Sequence, residues 1–181
     1  STQWYGIPYS FYSSYGGEDD YKDDINSRSY ATNYLAGGSV YMPNADGKKV
    51  PIELSLAVHS DAGYKNNALV GTLGIATTNG VTGETIYPSG LIRKASLDFA
   101  SMLTDGVATE LSRIYKVNWS RRESYDKKYS ESNRPAVPSA IIETLSHQNF
   151  MDMIYAHDPW FKFNMSRSIY KAILRYVSFE H

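Results

Sequence analysis

Cysteine is absent from this 181-residue chain, which excludes disulfides, thiolate nucleophiles and every zinc site built on cysteine. Net charge is nearly absent too: 18 Lys and Arg face 19 Asp and Glu, a formal −1. Without a basic excess the chain lacks the electrostatic footprint of a nucleic-acid binder. No apolar run approaches a membrane span and the first residues carry no signal-peptide pattern, so membrane insertion is not expected. What is abundant is tyrosine, 16 residues beside three Trp. Rings with polar tips suit wet, sugar-like or interface surfaces.

In chain order, residues 1–24 read as an irregular, aromatic-rich lead-in, with Trp4, Tyr5, Tyr9, Phe11, Tyr12 and Tyr15 among turn formers. The acidic run Glu18, Asp19, Asp20, Asp23 and Asp24 suits either a hard cation or a solvated helix start. Asp23 or Asp24 is placed to cap a helix that runs through Leu35, with Ile25, Tyr30, Ala31 and Tyr34 inward and Gly37-Gly38 at its end. Ile52, Leu54, Leu56 and Val58 then alternate with Glu53, Ser55 and Ala57, the period of a strand. It ends in His59, Ser60, Asp61, Ala62 and Gly63. A histidine there is either a structural residue bonded to a carbonyl or a metal ligand or acid–base.

Residues 69–77 read as a second strand pairing beside the first. Residues 89–115 carry a helical stripe of Ile92, Ala95, Phe99, Leu103, Val107, Leu111 and Ile114. Asp105-Gly106 is a point where that helix kinks or splits, and Arg93 belongs to its solvent side. In the polar stretch 116–135, Arg121 and Arg122 form either a bidentate carboxylate clamp or a surface pair. Ala140, Ile141 and Ile142 form an apolar strand that ends on Glu143. If it runs parallel to the first strand, His59 and Glu143 emerge on one rim. A short helix over 148–155 follows. Asp158-Pro159 is a helix-start signature, and Phe161, Met165, Ile169, Ile173 and Val177 stripe the last helix. His157 and His181 read as structural. Strands alternating with helices predict one α/β domain spanning 1–181.

From about residue 21 onward these pieces resemble the later two-thirds of a zinc-dependent N-acetylmuramoyl-L-alanine amidase catalytic domain. Arg28, Ala31 and Asn33 match its Arg and Ala-Asn helix. The run LSLAVHSDA, residues 54–62, matches the strand ending in Ser-Ile-His-Ala-Asp/Asn-Ala. PAVPSAIIETLSHQN, residues 135–149, matches the strand and turn that carry the catalytic Glu. The wording HSDAG, WSRR, SHQNF and DPWFKF is similar to a divergent exported bacterial group with golvesin-C-like modules, often labelled xanthan lyase.

The resemblance implies a three-layer, mostly parallel central sheet with helices on both faces, here incomplete. It implies His59 as a zinc ligand and Glu143 as general base and then acid. Asp61, Arg122 and His147 would orient the site or grip a peptide carboxylate. Zinc is expected in the intact domain, yet family members use two histidines and a glutamate, and no His precedes His59. The chain is therefore expected to begin after an inserted module, to be inactive alone, and to depend on an upstream segment of the same protein. Peptidoglycan or another cell-wall glycan is the expected partner, in the periplasm or outside the cell. Two other classes remain open: a non-catalytic glycan- or peptidoglycan-binding module, and a polysaccharide lyase.

Overall fold

A computed structural model describes residues 2–179; His181 lies outside them. The elements are α1 (Tyr9–Tyr12), α2 (Asp20–Ala36), β1 (Ser55–Asp61), β2 (Leu73–Ala76), α3 (Lys94–Tyr115), β3 (Tyr125–Asp126), α4 (Ser130–Asn133), β4 (Ser139–Ser146), α5 (Phe150–Ala156) and α6 (Pro159–Phe179). The strands form one sheet in the order β1-β4-β2-β3, and the chain has the expected α/β class. The sheet is mixed. β2 runs parallel to β3 and antiparallel to β4, with Leu73 opposite Glu143 and Ile75 opposite Ile141. The Ser55 N–H donates to the Pro138 carbonyl, and the His147 N–H donates to the Asp61 carbonyl. Register thus climbs together along β1 and β4, so these two are parallel. The second strand therefore does not pair beside the first, because β4, arriving last in sequence, inserts between them.

The chain forms two compact units. The first comprises the segment ending at Leu56 with Thr77–Ser96 and Lys127–Ala140. It is held largely by polar anchors. Asp19, rather than Asp23 or Asp24, caps α2 by accepting from the Lys22 N–H at 3.0 Å. Asp23 is buried and gathers the preceding loop, accepting from Tyr15 N–H at 2.6 Å and Gly17 N–H at 3.0 Å. The buried residues of α2 are Asp23, Asn26, Ser29 and Ala36, not the predicted Ile25, Tyr30, Ala31 and Tyr34. A polar face was invisible to hydrophobic periodicity, which assumes that inward positions are apolar. Asn33 receives the Ala136 N–H at 2.8 Å and donates to the Arg134 carbonyl at 2.9 Å, fixing the approach to β4. Arg93, expected in solvent, is 2 % exposed. Its guanidinium stacks 4.4 Å from the Tyr87 ring centroid and donates to Glu84.

The second unit comprises Ala57–Ala76, Leu97–Asp126 and the segment beginning at Ile141. Its helix α3 is continuous through Asp105-Gly106. A Cβ on Gly106 would stand 3.1 Å from the Ala172 side chain, so this glycine lets α6 approach closely. Trp119, within the stretch that looked polar, is buried among Tyr155 and Phe161 and donates its indole N–H to Thr72 at 2.9 Å. Asp158 accepts the Trp160 N–H at 2.9 Å and starts α6 as predicted. No described helix is long and apolar enough to cross a membrane.

The polar centre of this unit is Asp152, which is completely buried. Its carboxylate accepts the N–H groups of Val70 (2.9 Å), Gly71 (3.1 Å) and Ser146 (2.8 Å). Asp152→Ala leaves three buried backbone donors unpaired at about 1–3 kcal/mol each before relaxation. We expect a loss of about 3–5 kcal/mol in urea unfolding. Asp152→Asn, which keeps an acceptor oxygen, should lose less.

Candidate functional site

Alternation along β1 decides which side chains meet. Ala57 packs on the cluster of Leu73, Ile75 and Ile141, so His59 and Asp61, two and four residues on, project from that same face. Val58, from the alternating set, is 60 % exposed, as the opposite face of the strand requires. On β4, Glu143 follows Ile141 by two and shares the face as well. His59, Asp61 and Glu143 therefore lie on one face of two adjacent parallel strands. Glu143 does not end its strand, which continues three residues to Ser146. That places the carboxyl within the sheet and half-buries it.

Electrostatics around Glu143 are unusual. Its Oε2 is buried with no hydrogen-bond partner. Burial pushes its pKa up, the Asp61 charge adds to that, and His59, Arg122 and His147 pull the other way without cancelling it. For Asp61, burial acts upward but is outweighed by hydrogen bonds from Arg122 and from the Ala62 N–H, so its carboxyl is held below the usual range. The Arg122 guanidinium, raised in turn by Asp61 and Tyr125 against the opposing effect of burial, pairs with Asp61. The Glu143 carboxyl, on the same face as His59, therefore holds its proton to higher pH than a free glutamate.

Arg122 is placed by the backbone. Gly71 has φ +77°, a left-handed conformation natural to glycine. A Cβ there would collide with the Ser120 carbonyl oxygen at 2.0 Å. This close approach lets Thr72 N–H bond Ser120 and Arg122 N–H bond Thr72, laying Arg122 along β2. The two arginines do not act as one clamp, since Arg121 pairs with Asp105 and Arg122 with Asp61. His147 is exposed, and its Nδ1 lies 3.0 Å from the Ser60 hydroxyl. Ser60 projects from the face opposite His59, by the same alternation. The Thr144 hydroxyl donates to the His59 carbonyl at 2.9 Å. Neither Ser60, named only as part of the strand's polar end, nor Thr144 stood out as a site residue. Their only signal was adjacency to the two residues that stood out.

No family model matches the chain, and no curated protein does. Solved structures do. An N-acetylmuramoyl-L-alanine amidase from Clostridium difficile 630 aligns with 93 % of this chain and 78 % of its own, at TM-score 0.59 and 9 % identity. The CwlD amidase of Clostridioides difficile, solved with the GerS lipoprotein, aligns over 92 % and 70 %, at 0.58 and 13 %. AmiC2 of Nostoc punctiforme aligns over 70 % of this chain, at 0.51 and 12 %; the chain spans 58 % of that amidase. At such identities the likeness is one of fold: the chain has the fold of N-acetylmuramoyl-L-alanine amidases.

The two carboxyls should shape stability in opposite directions. A raised pKa for Glu143 means that the folded state holds its proton more tightly. Stability is then full below the unfolded pKa and declines as pH rises to the folded one. Glu143→Gln removes that decline, so the variant should match the parent near pH 4 and exceed it at pH 7. A lowered pKa for Asp61 stabilises above the unfolded value and is lost as pH falls through the folded one. Asp61→Asn should flatten that acid-side loss, and Arg122→Gln should cost roughly 1–3 kcal/mol at neutral pH. Denaturant midpoints measured across pH check all three.

Proposed function

We propose that this chain is a cell-wall hydrolase-like domain in which Glu143 serves as general acid–base for cleaving the amide between N-acetylmuramic acid and L-alanine of peptidoglycan. The observation that carries the reading is the Glu143 carboxyl, half-buried with an unpartnered oxygen and a raised pKa, facing the same side as His59. The amidase fold agrees with it. In this role Glu143 takes a proton from the water that attacks the amide carbon and delivers it to the departing nitrogen as the C–N bond breaks. The Asp61–Arg122 pair keeps a fixed dipole beside that carboxyl, whereas His147 is bonded to Ser60 on the other face of β1.

Zinc does not fit the described residues alone. A catalytic zinc takes at least three protein donors. Among the described residues no group of three or more His, Cys, Asp or Glu could hold a metal ion. No step is therefore assigned to metal here. On our reading His59 supplies one ligand, and the others come from an upstream segment of the same protein. We expect this 181-residue chain to be inactive alone, and the intact domain to act in the periplasm or outside the cell.

The test compares this chain with a longer form carrying upstream residues. The longer form should contain stoichiometric zinc by elemental analysis and release L-alanine-terminated peptides from muropeptides. Glu143→Gln should lower that release by about 10²–10⁴-fold. Unsaturated, ultraviolet-absorbing sugar ends would point to a lyase instead. Glycan binding without cleavage by either form would make this a binding module.

A further inference from the structure

Helix α6 has two apolar sides, and the fold covers one. Phe161, Met165, Ser168, Ile169, Ala172 and Tyr176 are buried. Trp160, Phe163, Tyr170 and Leu174 are 71, 57, 60 and 48 % exposed. At 3.6 residues per turn these four fall within an arc of about 80°, directly opposite the buried one. An apolar stripe along a 21-residue helix, left in water on the outside, is an interaction surface.

Charge identifies what covers it. The helix contains Lys162, Arg167, Lys171 and Arg175 and not one Asp or Glu. Lys171 is engaged by Glu110 at 2.7 Å. Lys162, Arg167 and Arg175 are exposed; Arg167 lies inside the apolar arc and the other two flank it on either side. A second copy would set these cations against their own kind. An anionic surface would not. Tryptophan and tyrosine favour the boundary between hydrocarbon and water, and Lys and Arg stems reach past apolar contacts to place their charge at headgroups.

We propose that the outer face of α6 lies flat on an anionic lipid bilayer, with Trp160, Phe163, Tyr170 and Leu174 at the interface and Lys162, Arg167 and Arg175 on lipid headgroups. This is peripheral docking; α6 itself is not apolar enough to span a membrane. It rests on none of the chemistry assigned to Glu143.

Sedimentation of the intact chain with extruded vesicles tests it, using phosphatidylcholine alone and an equal mixture with phosphatidylglycerol. Binding should be at least tenfold stronger to the mixture and should weaken at about 0.5 M salt. The combined Lys162→Gln, Arg167→Gln and Arg175→Gln variant should bind on the order of a hundredfold less tightly. In a Trp4→Phe background, with Trp119 buried, emission from Trp160 should shift to the blue on anionic vesicles. That readout stands whether or not the triple variant folds. Equal binding to both vesicle types, undiminished binding by a folded triple variant, an unmoved Trp160 spectrum, or burial of this face in a dimer without lipid would each overturn the proposal.

Discussion

One buried carboxylate ties together the parts on which the candidate site depends. Asp152 accepts backbone N–H groups from Val70 and Gly71, just before β2, and from Ser146, the last residue of β4. It also belongs to the first turn of α5, where Asn149 caps the helix by accepting the Asp152 N–H. A single side chain thus sets the entrance of one strand, the exit of its neighbour and the start of a helix. Glu143 lies three residues before Ser146, and Gly71 directs the approach of the 120–122 segment that carries Arg122. The positions of both charged groups follow from this knot of hydrogen bonds.

The first unit shows the same economy of polar anchors. Asp23 gathers the loop before it, Asn33 clamps residues 134–136, and the completely buried Ser139 donates its hydroxyl to the carbonyl of the equally buried Ser132 at 3.0 Å. Short polar side chains that bond backbone hold irregular segments where no regular ladder exists. Buried polar groups of this kind are tolerable only when satisfied. Among the described residues four buried atoms fail that condition, Ser39 Oγ, Arg93 Nε and Nη1, and Glu143 Oε2, and of these only the last belongs to a carboxyl.

How much of this was legible in the sequence depended on what signal each feature leaves. Helices α3 and α6 announced themselves because their inward residues are apolar at helical spacing, and Asp158-Pro159 marked the start of α6 by cap chemistry. The shared side of His59 and Glu143 was legible only as a condition, that β1 and β4 run parallel, and the hydrogen bonds between the two strands meet it. The inward face of α2 was not legible, because it is polar. The phase of β1 was not either: alternation alone leaves open which set faces inward, and it is the small Ala57 that packs against Leu73, Ile75 and Ile141. Sheet order was hidden because pairing between β2 and β4 joins residues some seventy positions apart. The Asp61–Arg122 pair, sixty-one positions apart, was hidden for the same reason, although each partner stood out singly.

The fold persists at 9–13 % identity to the amidases it resembles, so its requirements must be loose in residue type. A burial pattern and a few backbone-binding carboxylates meet them. The carboxyl proposed as the acid–base obeys a different rule. Glu143 occupies a strand position, directly opposite Leu73, where an apolar residue would be more stable, and burial works against its charge. Packing alone gives no reason to keep a carboxyl there, and its Oε2 has no hydrogen-bond partner. A buried ionisable group that costs stability is what the proton-transfer role proposed for Glu143 would require. On the role proposed for Glu143, its unsatisfied oxygen bears on function more directly than the similarity of folds, because the fold would survive its loss.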